Sequence, residues 1–279
     1  MFDKNLKHLS LLSELMQSTK PLKKLKAGFK LITRSSVDDA YDMLWLLNES
    51  VNGDTKLFSD KIEKLVGQAI RGKGVRFDVQ KLCTVCPSEK IALAFKDAAG
   101  GHLGQNRKGL LARPYLHHIL MVWFLVMMCG GDEAQQIVAL LHDYSEDVPD
   151  RSISVETLSK HIRYKYGARV VKGCAYLCNK KGISGRTPAQ AVEKHIWQLS
   201  HLKSMPKAWQ LVKLCDRSCN MYDSRRDGPV GNTPCSIAKE IDQCEEFFAV
   251  CSQTPALLKE FSMYITHLLD VKYDLKHLN

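Results

Sequence analysis

The stretch that organises this chain is residues 140–147, which read LLHDYSED. A His-Asp pair, His142 and Asp143, is followed almost at once by a Glu-Asp pair, Glu146 and Asp147. If the stretch is helical, the second pair lies four residues after the first and shares its helix face. Three carboxylates packed so closely repel one another unless protons or a cation offset their charge. A divalent metal ion with a water molecule to activate is the simplest chemical reason for this cluster, and a solvated acidic helix end is the alternative.

Length and composition place the chain among ordinary globular proteins. Its 279 residues, with 45% hydrophobic and 25% charged side chains, can form one large domain or one domain with an appendage. The longest apolar run, residues 119–129, is shorter than the roughly 18 residues that span a bilayer, so it predicts a buried helix. The first residues lack the charged-then-apolar plan of a secretory signal. We therefore expect a cytoplasmic protein, with export by a route other than Sec as the alternative.

The net charge of +10 favours an anionic partner, which could be nucleic acid, a membrane surface or a multiply phosphorylated small molecule. Residues 20–34 are the most basic stretch, and their leucines alternate with lysines. This pattern predicts a solvated amphipathic helix, with contact to nucleic acid or a membrane surface as the alternative.

The ten cysteines are scattered rather than arranged as a disulfide framework. The spacing of Cys174 with Cys178, and of Cys215 with Cys219, is that of helix cores, which predicts buried free thiols in a reducing compartment. Cys83 and Cys86 form a CxxC pair, but a second CxxC or a histidine at zinc-finger spacing is missing from the sequence. A zinc or redox site there is the weaker interpretation.

Helical spacing of apolar residues recurs along the chain, and strand signals are weak, so the predicted fold class is all-α. Residues 1–87 are predicted to be an N-terminal helical extension of unknown role, and residues 88–279 to be the main domain. A turn-rich stretch over residues 223–234 predicts a mobile surface loop. The predicted helices are 6–16, 20–34, 36–47, 61–71, 88–99, 119–129, 135–146, 154–166, 170–177, 189–201, one containing 211–221, 236–251 and 255–275.

Two further polar residues stand in apolar surroundings. Asp216 is a lone carboxylate on an apolar helix face, where it needs a salt bridge or a metal ion to offset its burial. His118 stands at the start of the apolar run, and the alternative to a metal ligand there is a hydrogen-bonded histidine in the core. Together with His142 and Asp143 they supply two imidazoles and two carboxylates, a set that suits Mn²⁺, with Fe²⁺ or another divalent ion possible.

Four motifs stand in a fixed order: GHLGQNRK at residues 101–108, PYLHH at 114–118, LLHDYSED at 140–147 and KLCDRSCN at 213–220. This ordered set resembles the HD superfamily of metal-dependent phosphohydrolases. More narrowly, it is similar to the hydrolase domain of the RelA/SpoT family and to the stand-alone small alarmone hydrolases.

The resemblance implies an HD-domain helical bundle that hydrolyses the 3′-pyrophosphate of guanosine tetra- or pentaphosphate, the alarmones of the stringent response, with Mn²⁺. By matching position, it implies that His118, His142, Asp143 and Asp216 hold the metal. Glu146 and Asp147 would handle the attacking water and the leaving-group proton. Arg107 and Lys108 would contact the guanine base and nearby substrate groups, and Asn220 the ribose and phosphates.

The chain departs from the family pattern in ways that bear on the substrate. Ile119 replaces a proline, two extra residues precede Pro114, and Tyr222 and Asp223 stand where the family has arginine and threonine. The last change removes a cation and adds an anion beside the expected phosphates. Cations that could compensate are Lys180, Lys181, Arg186, Arg225 and Arg226.

Two alternative functions follow from these departures. One is an HD-type nucleotidase or phosphodiesterase that acts on a different nucleotide. The other is a catalytically silent regulator whose N-terminal helices bind a partner. The intact ligand set and the intact Glu-Asp pair favour an enzyme, and the lack of a downstream synthetase segment leads us to expect hydrolysis only.

Overall fold

The computed structural model describes residues 10–11, 14–15, 17–34, 88–107, 113–144, 155–178, 187–227, 233–273 and 275. Within these ranges the chain forms helices joined by turns, and the one β-type pairing is an isolated antiparallel bridge between Asn106 and Pro114. The predicted all-α class is confirmed for this part of the chain. Its ten helices are α1 (Pro21–Arg34), α2 (Glu89–Gly101), α3 (Tyr115–Met128), α4 (Glu133–Leu141), α5 (Val155–Tyr166), α6 (Ala168–Leu177), α7 (Pro188–Ser204), α8 (Lys207–Asp227), α9 (Pro234–Val250) and α10 (Ala256–Tyr273).

The chain divides into two compact units, Met1–Ala92 and Leu93–Asn279. In the first unit α1 is amphipathic as predicted: Leu25 and Phe29 are fully buried, whereas Lys30 is exposed. The partner of its basic face stays a prediction, as do the domain boundary after residue 87 and the role of the segment before it. The predicted helices over 36–47 and 61–71, and the Cys83/Cys86 pair, lie outside the described residues.

Helix α3 is the central element of the second unit. Every residue from Tyr115 to Met127 is buried, which is the pattern of a helix surrounded by protein on all sides. The helix packs against α4 and α8. It begins four residues before the predicted start at residue 119, so His118 lies inside the helix rather than ahead of it. Gly130, with φ of 79°, takes the left-handed conformation that follows its last turn.

Helix α4 is shorter than predicted. It opens with a capping box between Asp132 and Gln135 and ends at Leu141, so the prediction of one helix over residues 135–146 is wrong. His142 and Asp143 lie in the turn that follows. The His142 Nδ1–H donates to the carbonyl oxygen of Ala139 at 2.8 Å. In a longer helix, that carbonyl would accept a backbone N–H instead.

Helix α8 is longer than predicted, because it continues to Asp227 through the first part of the predicted loop over 223–234. Asp223 therefore belongs to the same helix as Asp216. The helix stands close to α6 at Gly173, where an added Cβ would lie 2.6 Å from Val138 Cγ2 and 2.9 Å from Trp209. A side chain larger than hydrogen would force these helices apart.

The described cysteines are free thiols; Cys174, Cys215 and Cys219 are buried as predicted, whereas Cys178 is only half-buried. Burial raises the pKa of the Cys174 thiol to about 12, which keeps it protonated and unreactive. Among the helices of the described ranges, each is too short or too polar to cross a lipid bilayer.

Candidate metal centre

Four side chains from three separate segments of the sequence converge beside α3. His118 comes from α3, His142 and Asp143 come from the turn after α4, and Asp216 comes from α8. Asp216 Oδ1 lies 3.3 Å from His118 Nε2 and 3.7 Å from His142 Nε2, and Asp143 Oδ2 lies 2.9 Å from His142 Nε2. The first three residues offer ligand atoms that all lie within 4.8 Å of one another. Three of the four predicted ligands thus form one cluster, and Asp216 approaches both of its histidines.

The unpaired polar atoms at this point fit a metal ion. Both ring nitrogens of His118 and Nε2 of His142 are buried, and none makes a well-formed hydrogen bond with a described residue. A buried polar atom without a partner costs about 1–3 kcal/mol, which coordination of a metal ion would offset. Two imidazole nitrogens and two carboxylates are a donor set for a divalent transition metal, and they leave positions for water and a substrate oxygen.

His142 is held in the orientation that a metal ligand needs. Because its Nδ1–H donates to the Ala139 carbonyl, Nε2 faces the other three side chains. Burial of the ring opposes its protonation, but the negative charges of Asp143 and Asp216 raise the pKa of His142 well above its usual value. A metal ion at this place must therefore displace a proton from His142.

Both carboxylates are stabilised in the ionised form despite their burial. Burial acts to raise the pKa of Asp216, but the positive charge of Lys213, 3.2 Å from Oδ2, and contacts with the two histidines lower it well below the usual value. His142 likewise lowers the pKa of Asp143 against the effect of burial. A salt bridge was the alternative to a metal ion at Asp216. It is present, with Lys213 as the partner, and Asp216 contacts the two histidines as well.

Tyr115 supports Asp143 and was missed by the sequence interpretation. Its hydroxyl donates to Asp143 Oδ2 at 2.6 Å. The ring stacks on His102, with centroids 4.9 Å apart, and His102 Nδ1 lies 2.6 Å from the side-chain oxygen of Gln105. The first motif therefore buttresses the second. The available signal was position: Tyr115 stands three residues before His118, about one helical turn away.

Arg107 and Asn220 are two of the predicted substrate residues. They are hydrogen-bonded to each other, and Asn220 is also hydrogen-bonded to Asp216. Arg107 Nη2 donates to Asn220 Oδ1 at 2.7 Å, and Asn220 Nδ2 donates to Asp216 Oδ1 at 2.8 Å. The guanidinium lies 5.3 Å from the centre of the Tyr115 ring and 3.1 Å from Asp223 Oδ2. Burial opposes the charge of Arg107, yet Asp223 raises its pKa above the ordinary value.

The remaining predicted site residues lie outside the described residues. They are Lys108, Glu146 and Asp147, together with Lys180, Lys181, Arg186 and the side chains of Arg225 and Arg226. Their roles stay predictions.

Comparison with known proteins tests the fold. No protein-family profile matches the chain, and no curated protein does. Among solved structures, the chain is similar to a metazoan ortholog of SpoT that hydrolyses ppGpp and plays a role in starvation responses. The match has a TM-score of 0.56 at 22% sequence identity, and it covers 66% of this chain and 97% of that one. The chain has an HD-type helical fold. The predicted bundle is confirmed, and at this identity the similarity establishes the fold alone.

Proposed function

We propose that this protein is a divalent-metal-dependent phosphohydrolase that removes the 3′-pyrophosphate of guanosine tetra- or pentaphosphate, or of a closely related alarmone. The observation that carries the proposal is the cluster of His118, His142 and Asp143 with Asp216 beside it, in which Nε2 of each histidine is buried and makes no well-formed hydrogen bond with a described residue. The fold shared with a ppGpp hydrolase supports it as well.

The four converging residues would hold the metal ion, and Mn²⁺ is the ion that we propose. Once bound, a divalent ion polarises a phosphoryl oxygen and lowers the pKa of a water molecule. Tyr115 and the Ala139 carbonyl keep Asp143 and His142 aimed at the ion, and Lys213 helps to keep Asp216 ionised. The protein thus contributes a preformed ligand geometry.

Proton transfer is assigned to Glu146 and Asp147, which follow Asp143 by three and four residues. A carboxylate can accept the proton of the attacking water, and its neighbour can return one to the leaving group. On the substrate side, the planar Arg107 guanidinium can stack on a purine. Lys108 and Asn220 would contact the adjoining groups, which fits the net charge of +10.

A second candidate is an HD-type nucleotidase or phosphodiesterase for a nucleotide that carries less charge. Asp223 favours it, because its carboxylate lies 3.1 Å from Arg107 and offsets a cation that the alarmone phosphates could use. The contact of the basic helix α1 with nucleic acid or a membrane surface, and the location in the cytoplasm, stay predictions of the sequence.

A product assay separates these functions. The full chain, freed of metal and reloaded with Mn²⁺, is incubated with ppGpp, pppGpp, GTP, dGTP and cyclic nucleotides, and the products are resolved by ion-exchange chromatography. GDP and pyrophosphate from ppGpp support the proposed function. Turnover of the other nucleotides alone supports the second candidate. A folded protein that turns over none of them with any divalent metal contradicts both, and it favours the silent regulator.

A further inference from the structure

Asp223 stands on the face of α8 that bears the metal-facing residues. It follows Asp216 by seven residues and Asn220 by three, so the three side chains lie along two turns of one helix face. The sequence interpretation treated Asp223 as a departure from the family pattern, within a predicted loop. Because the helix continues to Asp227, Asp223 instead points towards the same centre as Asp216.

His118 lies between the two carboxylates of this face. Its Nε2 is 3.3 Å from Asp216 Oδ1, and its Nδ1 is 3.5 Å from Asp223 Oδ2. The ring is 1% exposed, whereas 21% of the Asp223 side chain is exposed. The Nδ1 distance is longer than an ordinary hydrogen bond, and both atoms are buried without a well-formed hydrogen bond to a described residue.

A histidine that binds a metal through one nitrogen normally donates its other N–H to an acceptor, which fixes the tautomer and the ring orientation. His142 meets this requirement through the Ala139 carbonyl. His118 directs Nε2 to the cluster, so its Nδ1–H needs an acceptor on the opposite side. The carboxylate of Asp223 is the charged acceptor that lies there, and the same oxygen contacts Arg107 Nη2.

We propose that Asp223 is a positioning residue that accepts the Nδ1–H of His118, directs Nε2 to the metal and holds Arg107 with the same carboxylate oxygen. The inference rests on the proposed metal centre and adds a residue that the family pattern does not supply. Its consequence is a link between the two halves of the site, because one oxygen orients a metal ligand and a nucleotide contact.

The first test measures binding of Mn²⁺ alone to the metal-free full chain by isothermal titration calorimetry. Asp223→Leu, which removes the acceptor, should weaken binding about 10- to 100-fold, the range found when groups supporting a metal ligand are removed. Asp223→Asn keeps an acceptor oxygen without the charge and should fall between the wild type and Asp223→Leu. Glu240→Gln is the matched control, because Glu240 accepts a hydrogen bond at 3.0 Å from Ser224, the residue that follows Asp223 on α8. The Mn²⁺ affinity of this variant should not change.

The second test reads the His118 ring directly. In the Zn²⁺-loaded protein with ¹⁵N-labelled histidine, NMR should show His118 with its proton on Nδ1, assigned by its loss in His118→Gln. Asp223→Leu should shift or broaden that Nδ1–H resonance while leaving the His142 signals in place. Glu240→Gln should leave the resonance unchanged, as it should the Mn²⁺ affinity.

The outcomes distinguish this inference from the proposed function. A wild type that binds no divalent metal overturns the metal centre and the inference with it. A wild type that binds Mn²⁺ no more tightly than Asp223→Leu, with an unaltered His118 resonance in that variant, overturns the role of Asp223 and leaves the proposed function standing.

Discussion

The metal-facing side of the site and its nucleotide-facing side differ in how deeply most of their side chains are buried. On the metal side, His118, His142 and Asp216 are 1%, 2% and 6% exposed, whereas the Asp143 side chain is 22% exposed. On the nucleotide side, Arg107 and Asp223 keep 24% and 21% of their side chains exposed. Three of the four ligands are thus fixed by the packing that holds the domain together, whereas Asp143, Arg107 and Asp223 reach solvent.

The two sides also differ in how their charges are balanced. On the metal side Asp143 and Asp216 are both ionised, and Lys213 is a cation 3.2 Å from one of them. On the nucleotide side Arg107 and Asp223 neutralise each other. A metal ion on the metal side would therefore replace the His142 proton, and the nucleotide side favours a planar or weakly charged group. The predictions below test this division.

The largest effect is expected from Asp143→Ala. Loss of this ligand should abolish measurable Mn²⁺ binding and lower kcat/KM for the substrate at least about 10³-fold, because the metal activates the nucleophile. Calorimetry and a product assay measure the two effects.

Asp97→Asn is the matched control for Asp143→Ala. Asp97 is also mostly buried and bonded, to Lys165 Nζ at 2.9 Å and to the Tyr166 hydroxyl at 2.8 Å, but it serves the packing of α2 on α5. Its replacement should lower the melting temperature and spare Mn²⁺ affinity. Mn²⁺ binding retained by Asp143→Ala would remove Asp143 from the ligand set.

A large effect is also expected from pH, because a proton and the metal ion compete for His142. The carboxylates raise the pKa of His142 well above its usual value in the metal-free protein, while those of Asp143 and Asp216 are lowered. Below the His142 pKa the ion must displace the His142 proton, so Mn²⁺ affinity should fall about tenfold for each pH unit below that pKa. Calorimetry in buffers of different ionisation enthalpy should register proton release on binding; an affinity independent of pH contradicts the assignment.

The chemistry of the metal side was readable from the sequence, because it depends on residue types in a fixed order. The exact ends of the helices were not. The apolar spacing predicted a helix through residue 146. Spacing alone cannot show that the His142 side chain donates a hydrogen bond to the Ala139 carbonyl. The turn-forming composition after residue 223 predicted a loop, but helix α8 continues to Asp227, and Ser224 in this extension donates to Glu240 of α9.

These errors at helix ends explain why the supporting residues were missed. Asp223 becomes a neighbour of His118 only when it lies on a helix with Asp216, and Tyr115 supports Asp143 only because α3 begins at Tyr115. Such contacts come from the tertiary structure. A motif names the ligands, but the groups that orient them depend on where each helix starts and stops.

A moderate effect is expected from Tyr115→Phe, which removes one hydroxyl and keeps the ring. Asp143 Oδ2 loses a donor at 2.6 Å, so Mn²⁺ affinity should fall about tenfold, at the low end for groups that orient a ligand. The stacking on His102 is retained, so the melting temperature of the metal-free protein should change little. Calorimetry and thermal unfolding measure the two quantities. Unchanged affinity would show that Asp143 is held by the backbone turn without help from Tyr115.

The smallest effect, and the sharpest test of the division, is expected from Arg107→Met. Loss of a guanidinium that stacks on a base removes about 1 kcal/mol of binding, so KM should rise about five- to tenfold with kcat unchanged. Arg217→Met is the matched control, because Arg217 follows Asp216 on α8 but packs 4.9 Å from the Phe247 ring on α9, and its KM should stay at the wild-type value. A fall in kcat for Arg107→Met with KM unchanged would mean that Arg107 acts on the reacting phosphoryl group. Both sides of the site would then act on the phosphoryl group. The partial exposure of Arg107 would in that case give the phosphate access to the guanidinium, and Arg107 would not select the base.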